Sequence, residues 1–250
     1  MKTVMLEFYK LRRKRLLLMI SMFLSVEIGW AFLSVSKSMS RNPDSSGWDG
    51  ALVIIASLNG LFLPLIAAVV VSRLCDMEHK GNTWKLLTAA SLKRHRLYFA
   101  KYACACILLL FAVIAQMAAI AGFGAVSGFG MPVPFSELFK LLAGTMLTNA
   151  VVIALQQWIS LAVKNQAFGL CLGMIGGFIG MTADLFPAAV RRILIWSYYS
   201  GLSPVTYNFV NETMEFVPRQ IVAFLPASVL FMGAAVYIAG SVHVSRQDIH

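Results

Sequence analysis

Apolar stretches that approach or exceed the roughly 20 residues needed to cross about 30 Å of hydrocarbon recur along the whole chain. A bilayer offers no water to bond the backbone, so segments of this length read as membrane-spanning helices. Six are predicted, at about 16–36, 51–72, 102–126, 138–163, 167–185 and 221–242. Composition agrees: 59% of the 250 residues are hydrophobic and 13% charged, against about a quarter charged in soluble domains. The expected fold class is an all-α integral membrane protein, with one six-helix transmembrane domain covering residues 1–250.

The connections have their own chemistry. Lys10, Arg12, Arg13, Lys14 and Arg15 precede the first apolar run, but that run is too long for a secretory signal and no small-residue cleavage pattern closes it before Lys37. It is expected to remain as the first span. Pro64 falls inside the second span and predicts a kink. Lys164, Asn165 and Gln166 alone separate spans four and five, predicting a tight antiparallel hairpin. The stretch 186–220, with Arg191, Arg192, Trp196, Tyr198, Tyr199 and Glu212, reads as amphipathic pieces lying at the membrane interface.

Orientation follows from basic residues. Fifteen of the 21 lysines and arginines fall at the amino terminus, in 73–101, at Lys164 and at Arg246. This places both termini in the cytoplasm. Net charge is +10, yet the basic residues track the span boundaries, so no nucleic-acid partner is expected. Cys75, Cys104, Cys106 and Cys171 lie in or beside spans and form no disulfide framework.

Catalytic signatures are missing. The sequence has no Gly-x-x-x-x-Gly-Lys-Ser/Thr phosphate loop, no His-Glu-x-x-His pair and no Gly-x-Ser-x-Gly elbow. The chain is expected to be neither an enzyme nor a holder of a cofactor or metal. Gly173 with Gly177, and Gly176 with Gly180, are four apart and allow close helix approach, within the chain or across a dimer.

The segment 73–101 is the most informative. Gly81 permits a turn, Asn82 or Thr83 can cap a new helix, and Trp84 and Leu87 lie near one face of a short amphipathic helix. With six spans, this pattern resembles the type-2 ABC exporter permeases, in which a glutamate, a glycine and a threonine open a helix that docks on the ATPase. The matching positions are Glu78, Gly81 and Thr83, and the Thr83-Trp84-Lys85 extension looks like the lantibiotic and bacteriocin self-protection permeases. The opening 6–12 looks like that family's amphipathic elbow, and 245–249 like its terminal ending. Ser91 stands where the family often has proline.

The resemblance implies a permease subunit with Glu78, Gly81, Thr83, Trp84 and Leu87 coupling it to a separate ABC ATPase. It also implies a second permease, identical or related, in the bacterial inner membrane and among its lipids. The cargo implied is a cationic antimicrobial peptide removed to the outside. The alternatives are a type-2 exporter for a lipid, polysaccharide or drug, or a non-transporting anchor or sensor subunit. Glu27 sits mid-span, where an uncompensated charge costs about 3 kcal/mol or more. It is expected to face the bundle interior beside Asn59, Gln116, Asn149, Gln156 or Gln157. Glu27, Gln116 and Gln156 are the candidate transport-path residues, in a structural or a transport role.

Overall fold

The computed structural model describes residues 2–11, 15–41, 47–81, 94–130, 132–163, 165–210 and 213–246. In chain order the helices are α1 (Lys2–Leu11), α2 (Leu16–Arg41), α3 (Trp48–Gly81), α4 (Arg94–Val126), α5 (Phe135–Ala162) and α6 (Gln166–Met181). A 3₁₀ turn (Ala183–Leu185), α7 (Ala188–Arg191), another 3₁₀ turn (Ile195–Ser197) and α8 (Tyr198–Gly201) follow. An antiparallel hairpin, β1 (Val205–Val210) and β2 (Thr213–Pro218), then leads to α9 (Phe224–Arg246).

Among the described residues, α2, α3, α4, α5 and α9 are the helices long and apolar enough to cross a membrane. The chain is thus a multi-pass helical membrane protein. Helix α6 is shorter, 16 residues, or about 24 Å at 1.5 Å per residue. It stops before the expected boundary at Leu185 because Thr182 leaves helical geometry (φ −95°, ψ 9°) and turns its hydroxyl back to the Phe178 carbonyl at 2.7 Å.

Helix α3 is central, with Leu52, Leu63, Ala67 and Val70 fully buried, whereas α9 packs at the edge with 11% of its apolar window buried. The expected α5–α6 hairpin has its tight turn, with Asn165 accepting from the Ala167 amide at 3.0 Å. Helix α6 nevertheless lies chiefly on α3 rather than α5. The reason is its glycine stripe. A Cβ at Gly177 would meet the Leu61 carbonyl oxygen at 2.7 Å, one at Gly173 would meet the Pro64 carbonyl at 3.0 Å, and Gly180 crosses Gly60 backbone to backbone. The close approach is within the chain.

Two further expectations are corrected. The expected limits of spans two and three, at 72 and 102, fall short of the helices: α3 continues to Gly81 and α4 begins at Arg94. Burial of Leu74, Cys75, Leu97 and Tyr98 extends helix beyond the apolar windows, because tertiary packing rather than hydropathy stabilises it. The stretch 186–220 holds a hairpin built on the β-favouring run Val205-Thr206-Tyr207, and Phe216 packs under Gly50. Tyr198 and Tyr199 are 3% and 1% exposed, packed against the chain rather than spread on its surface.

The two ends of the bundle are distinct. At one, Arg94 donates to the Ser245 carbonyl (3.3 Å) and Lys101 to Glu7 (2.9 Å), joining the start of α4 to the end of α9 and to α1. At the other, the Trp48 indole donates to the Gly130 carbonyl (3.1 Å) beside the hairpin.

Candidate functional site

Every long helix but α9 sends a polar side chain into one seam in the apolar interior. Glu27 of α2, Asn59 of α3, Gln116 of α4 and Asn149 of α5 are each 0% exposed, with Thr145 of α5 at 2%. A lone polar group in such a place costs a few kcal/mol unless bonded, so these residues meet one another. Gln116 Nε2 donates to Asn59 Oδ1 at 2.8 Å, and Asn59 Nδ2 donates to Thr145 Oγ1 at 3.4 Å. From α8 the Tyr199 hydroxyl donates to Asn149 Oδ1 at 2.6 Å.

Glu27 lies beside this chain of bonds. Gln116 is beside it but turns its nitrogen to Asn59, and neither Glu27 oxygen nor Gln116 Oε1 has a hydrogen-bond partner among the described residues. Burial, and then the nearby Glu27 carboxyl, push the Tyr199 hydroxyl well above its ordinary pKa. Tyr199 is therefore a neutral donor at physiological pH. The seam sets the Glu27 carboxyl and Gln116 Oε1 beside neutral amides and hydroxyls in an otherwise apolar interior.

Of the expected transport-path residues, the structure brings Glu27 and Gln116 together and leaves Gln156 apart. Gln156 Nε2 donates to the Gly169 carbonyl, tying α5 to α6, and Gln157 Nε2 donates to the Tyr98 carbonyl at 2.8 Å. Both are backbone clasps. Tyr199 was not expected in the seam; its sequence signal was only an aromatic pair in a polar stretch.

Near the end shared by α1 and α9, Lys101 of α4 is 1% exposed and Glu7 of α1 is 0% exposed. Lys101 Nζ donates to Glu7 Oε2 at 2.9 Å and to the Leu74 carbonyl of α3 at 2.8 Å, and Lys10 pairs with Glu7 Oε1 at 3.0 Å. This fastens α1 across the helices that bracket residues 82–93. Gly81 ends α3, and Glu78 lies on α3 rather than opening a separate helix. The Glu78 side chain, Thr83, Trp84 and Leu87 lie outside the described residues.

No group of metal-ligating side chains occurs among the described residues. The family model described as ABC-2 family transporter protein matches residues 3–180, from α1 through α6. A search of curated proteins finds no match.

Proposed function

Because the chain belongs to the ABC-2 family of transporter proteins, the non-catalytic membrane components of ABC transporters, we propose that it is the permease subunit of an ATP-driven exporter in the bacterial cytoplasmic membrane. Its family implies an ABC ATPase partner and often a second permease. The cargo is a lantibiotic-type cationic peptide, a reading supported by the Thr83-Trp84-Lys85 pattern.

The observation that carries the exporter reading is the fastening of α1 to the facing ends of α3 and α4 by Glu7 and Lys101. Those two helices frame the segment with the coupling signature. Force applied by an ATPase at Glu78, Gly81, Thr83, Trp84 and Leu87 reaches two long helices at once. These helices carry Asn59 and Gln116 of the polar seam, which with Glu27 forms the transport route. Gln156 supports the route by holding α5 to α6.

Six crossings are supported by parity. The Arg94–Ser245 and Lys101–Glu7 contacts join α1 and the end of α9 at one end of the bundle, which requires an even number of passes. Helix α6 with its 3₁₀ extension to Leu185 supplies the sixth, in a bilayer that thins around it. The excess of basic residues makes that end cytoplasmic, with α1 as an elbow at the membrane surface exposing Met5, Leu6 and Tyr9 to lipid.

Trp84→Ala tests the reading. It is expected to leave the protein inserted at normal levels, while ATPase co-purification falls and lantibiotic resistance is lost, because buried aromatic anchors dominate such interfaces. Retention of both would remove the coupling assignment.

A further inference from the structure

At the end of the bundle remote from α1, three arginines converge with one acid among them. Arg191 pairs with Asp184 at 3.2 Å, and Asp184 also accepts from the Ser200 hydroxyl at 3.3 Å. Arg219 is held by neutral acceptors, donating to the Ser200 carbonyl at 2.8 Å and to Thr206 Oγ1 at 2.7 Å. Its burial opposes its charge, and the nearby Asp184 only partly offsets this. Arg192 is exposed, and its guanidinium has no hydrogen-bond or ion-pair partner among the described residues. Asp184 therefore pairs with Arg191 and acts on Arg219, while Arg192 lines the same cavity as those two arginines.

A 360 Å³ cavity is lined by Arg191, Arg192 and Arg219 together with Tyr198 and Leu225. Arg192, Tyr198 and Leu225 also line a 720 Å³ groove that runs down α9 past Phe224, Ser228, Phe231 and Ala235. The last four positions follow the i, i+4, i+7, i+11 spacing of a single helix face. From Phe224 to Ala235 the groove descends about 16 Å at 1.5 Å per residue. That is close to half of the roughly 30 Å hydrocarbon thickness, the depth of one leaflet. The polar end of the groove lies at the start of a membrane-spanning helix, and its apolar length lies along that helix.

We infer that this paired cavity and groove is a binding site for one anionic phospholipid, with its phosphate on Arg192, Arg191 and Arg219 and an acyl chain along α9. Uncompensated arginine charge selects the phosphate, since guanidinium groups match its oxygens with directed N–H donors. The groove selects a chain-bearing ligand over a soluble phosphate, which would leave the α9 face empty. A cationic peptide is repelled there, so the site is separate from the cargo route through the seam. A bound lipid would anchor the otherwise sparsely packed α9 to the hairpin region.

The test uses the purified full-length chain in a zwitterionic detergent, titrated with dioleoyl phosphatidylglycerol, dioleoyl phosphatidylcholine or glycerol phosphate and read by native mass spectrometry. Phosphatidylglycerol is expected to bind in preference to phosphatidylcholine. Arg192→Gln should weaken it about fivefold while leaving phosphatidylcholine unchanged, and Arg192→Lys should retain most of the binding, separating charge from misfolding. Ser228→Trp, which fills the groove, should weaken both lipids. Equal binding of the two lipids, unmoved by Arg192→Gln, would overturn the site. Competition by glycerol phosphate as effective as that by phosphatidylglycerol would assign the pocket to soluble phosphates and overturn the lipid. A lipid-free dimer insensitive to Arg192→Gln would assign the groove to a second copy and overturn it equally.

Discussion

Lys101 keeps an ammonium in an apolar interior because Glu7 and the Leu74 carbonyl both accept from it. Removing Glu7 takes the carboxylate from a buried ammonium, so Glu7→Gln should cost up to about 3–5 kcal/mol; Lys101→Met, which leaves Glu7 paired with Lys10, should cost less, and the double substitution less than the sum of the two. Thermal unfolding of the purified variants, arranged as a double-mutant cycle, measures this; additive losses would deny the coupling. Glu27 poses the opposite case, a carboxyl with no bonded partner beside an amide oxygen that also lacks one. Glu27→Gln supplies a nitrogen donor to Gln116 Oε1, so the folded yield should hold or rise while lantibiotic resistance falls; unchanged resistance would reduce Glu27 to a structural role. Glu27 was legible in the sequence because it interrupts an otherwise apolar run. Lys101 was not, since a lysine at the edge of an apolar run ordinarily reaches back to the interface, and its partner lies 94 residues away.

At the scale of elements, the contact between α6 and α3 depends on missing side chains. Gly177→Val would drive a branched side chain against the Leu61 carbonyl and should cost about 1–3 kcal/mol or more by overpacking. Gly122→Ala is the matching control, because a Cβ there meets nothing within 4 Å and alanine is favoured over glycine in a helix by about 1 kcal/mol. Unfolding midpoints that shift equally in the two variants would contradict the packing. The glycine spacing in the sequence announced a close approach without naming the partner, as small residues mark a contact on one helix only. Hairpin β1–β2 went unread for a different reason: its aromatic and β-branched residues suit a membrane interface as well as a strand, and only the register with Pro218 and Phe216 distinguishes them. Helix lengths were underread at 73–101 because hydropathy measures the lipid-facing part of a helix and is blind to its extension into packed polar ends.

For the whole molecule, the proposed topology of six crossings with both termini in the cytoplasm can be tested by labelling. A cysteine at the exposed position Asn208 of β1 should react with an impermeant thiol reagent in intact cells, and one at Ser245 only after lysis. The reverse pattern would invert the protein, and labelling of both in intact cells would remove the even number of crossings. The predicted architecture of long helices in one bundle was readable from apolar length alone, since the bilayer admits few alternatives. The seam's membership was only half readable: Glu27, Asn59, Gln116 and Asn149 stood out as polar residues in apolar runs, whereas their pairing depends on helix rotation, which hydropathy does not encode.

The Glu7–Lys101 bond also sets an order of events during synthesis. Helix α1 leaves the ribosome long before Lys101 exists, and at about 5–20 residues per second the 94 residues between them take roughly 5 to 19 seconds. Until then α1 must wait without its final partner, and α3 enters the membrane unfastened. Closure of the clasp therefore waits for the first turns of α4. A chain lacking residues 1–11 should still insert, yet lose the Glu7 contact that ties α1 to α3 and α4 and be degraded faster in a pulse–chase; an unaltered half-life would show that assembly proceeds without that checkpoint.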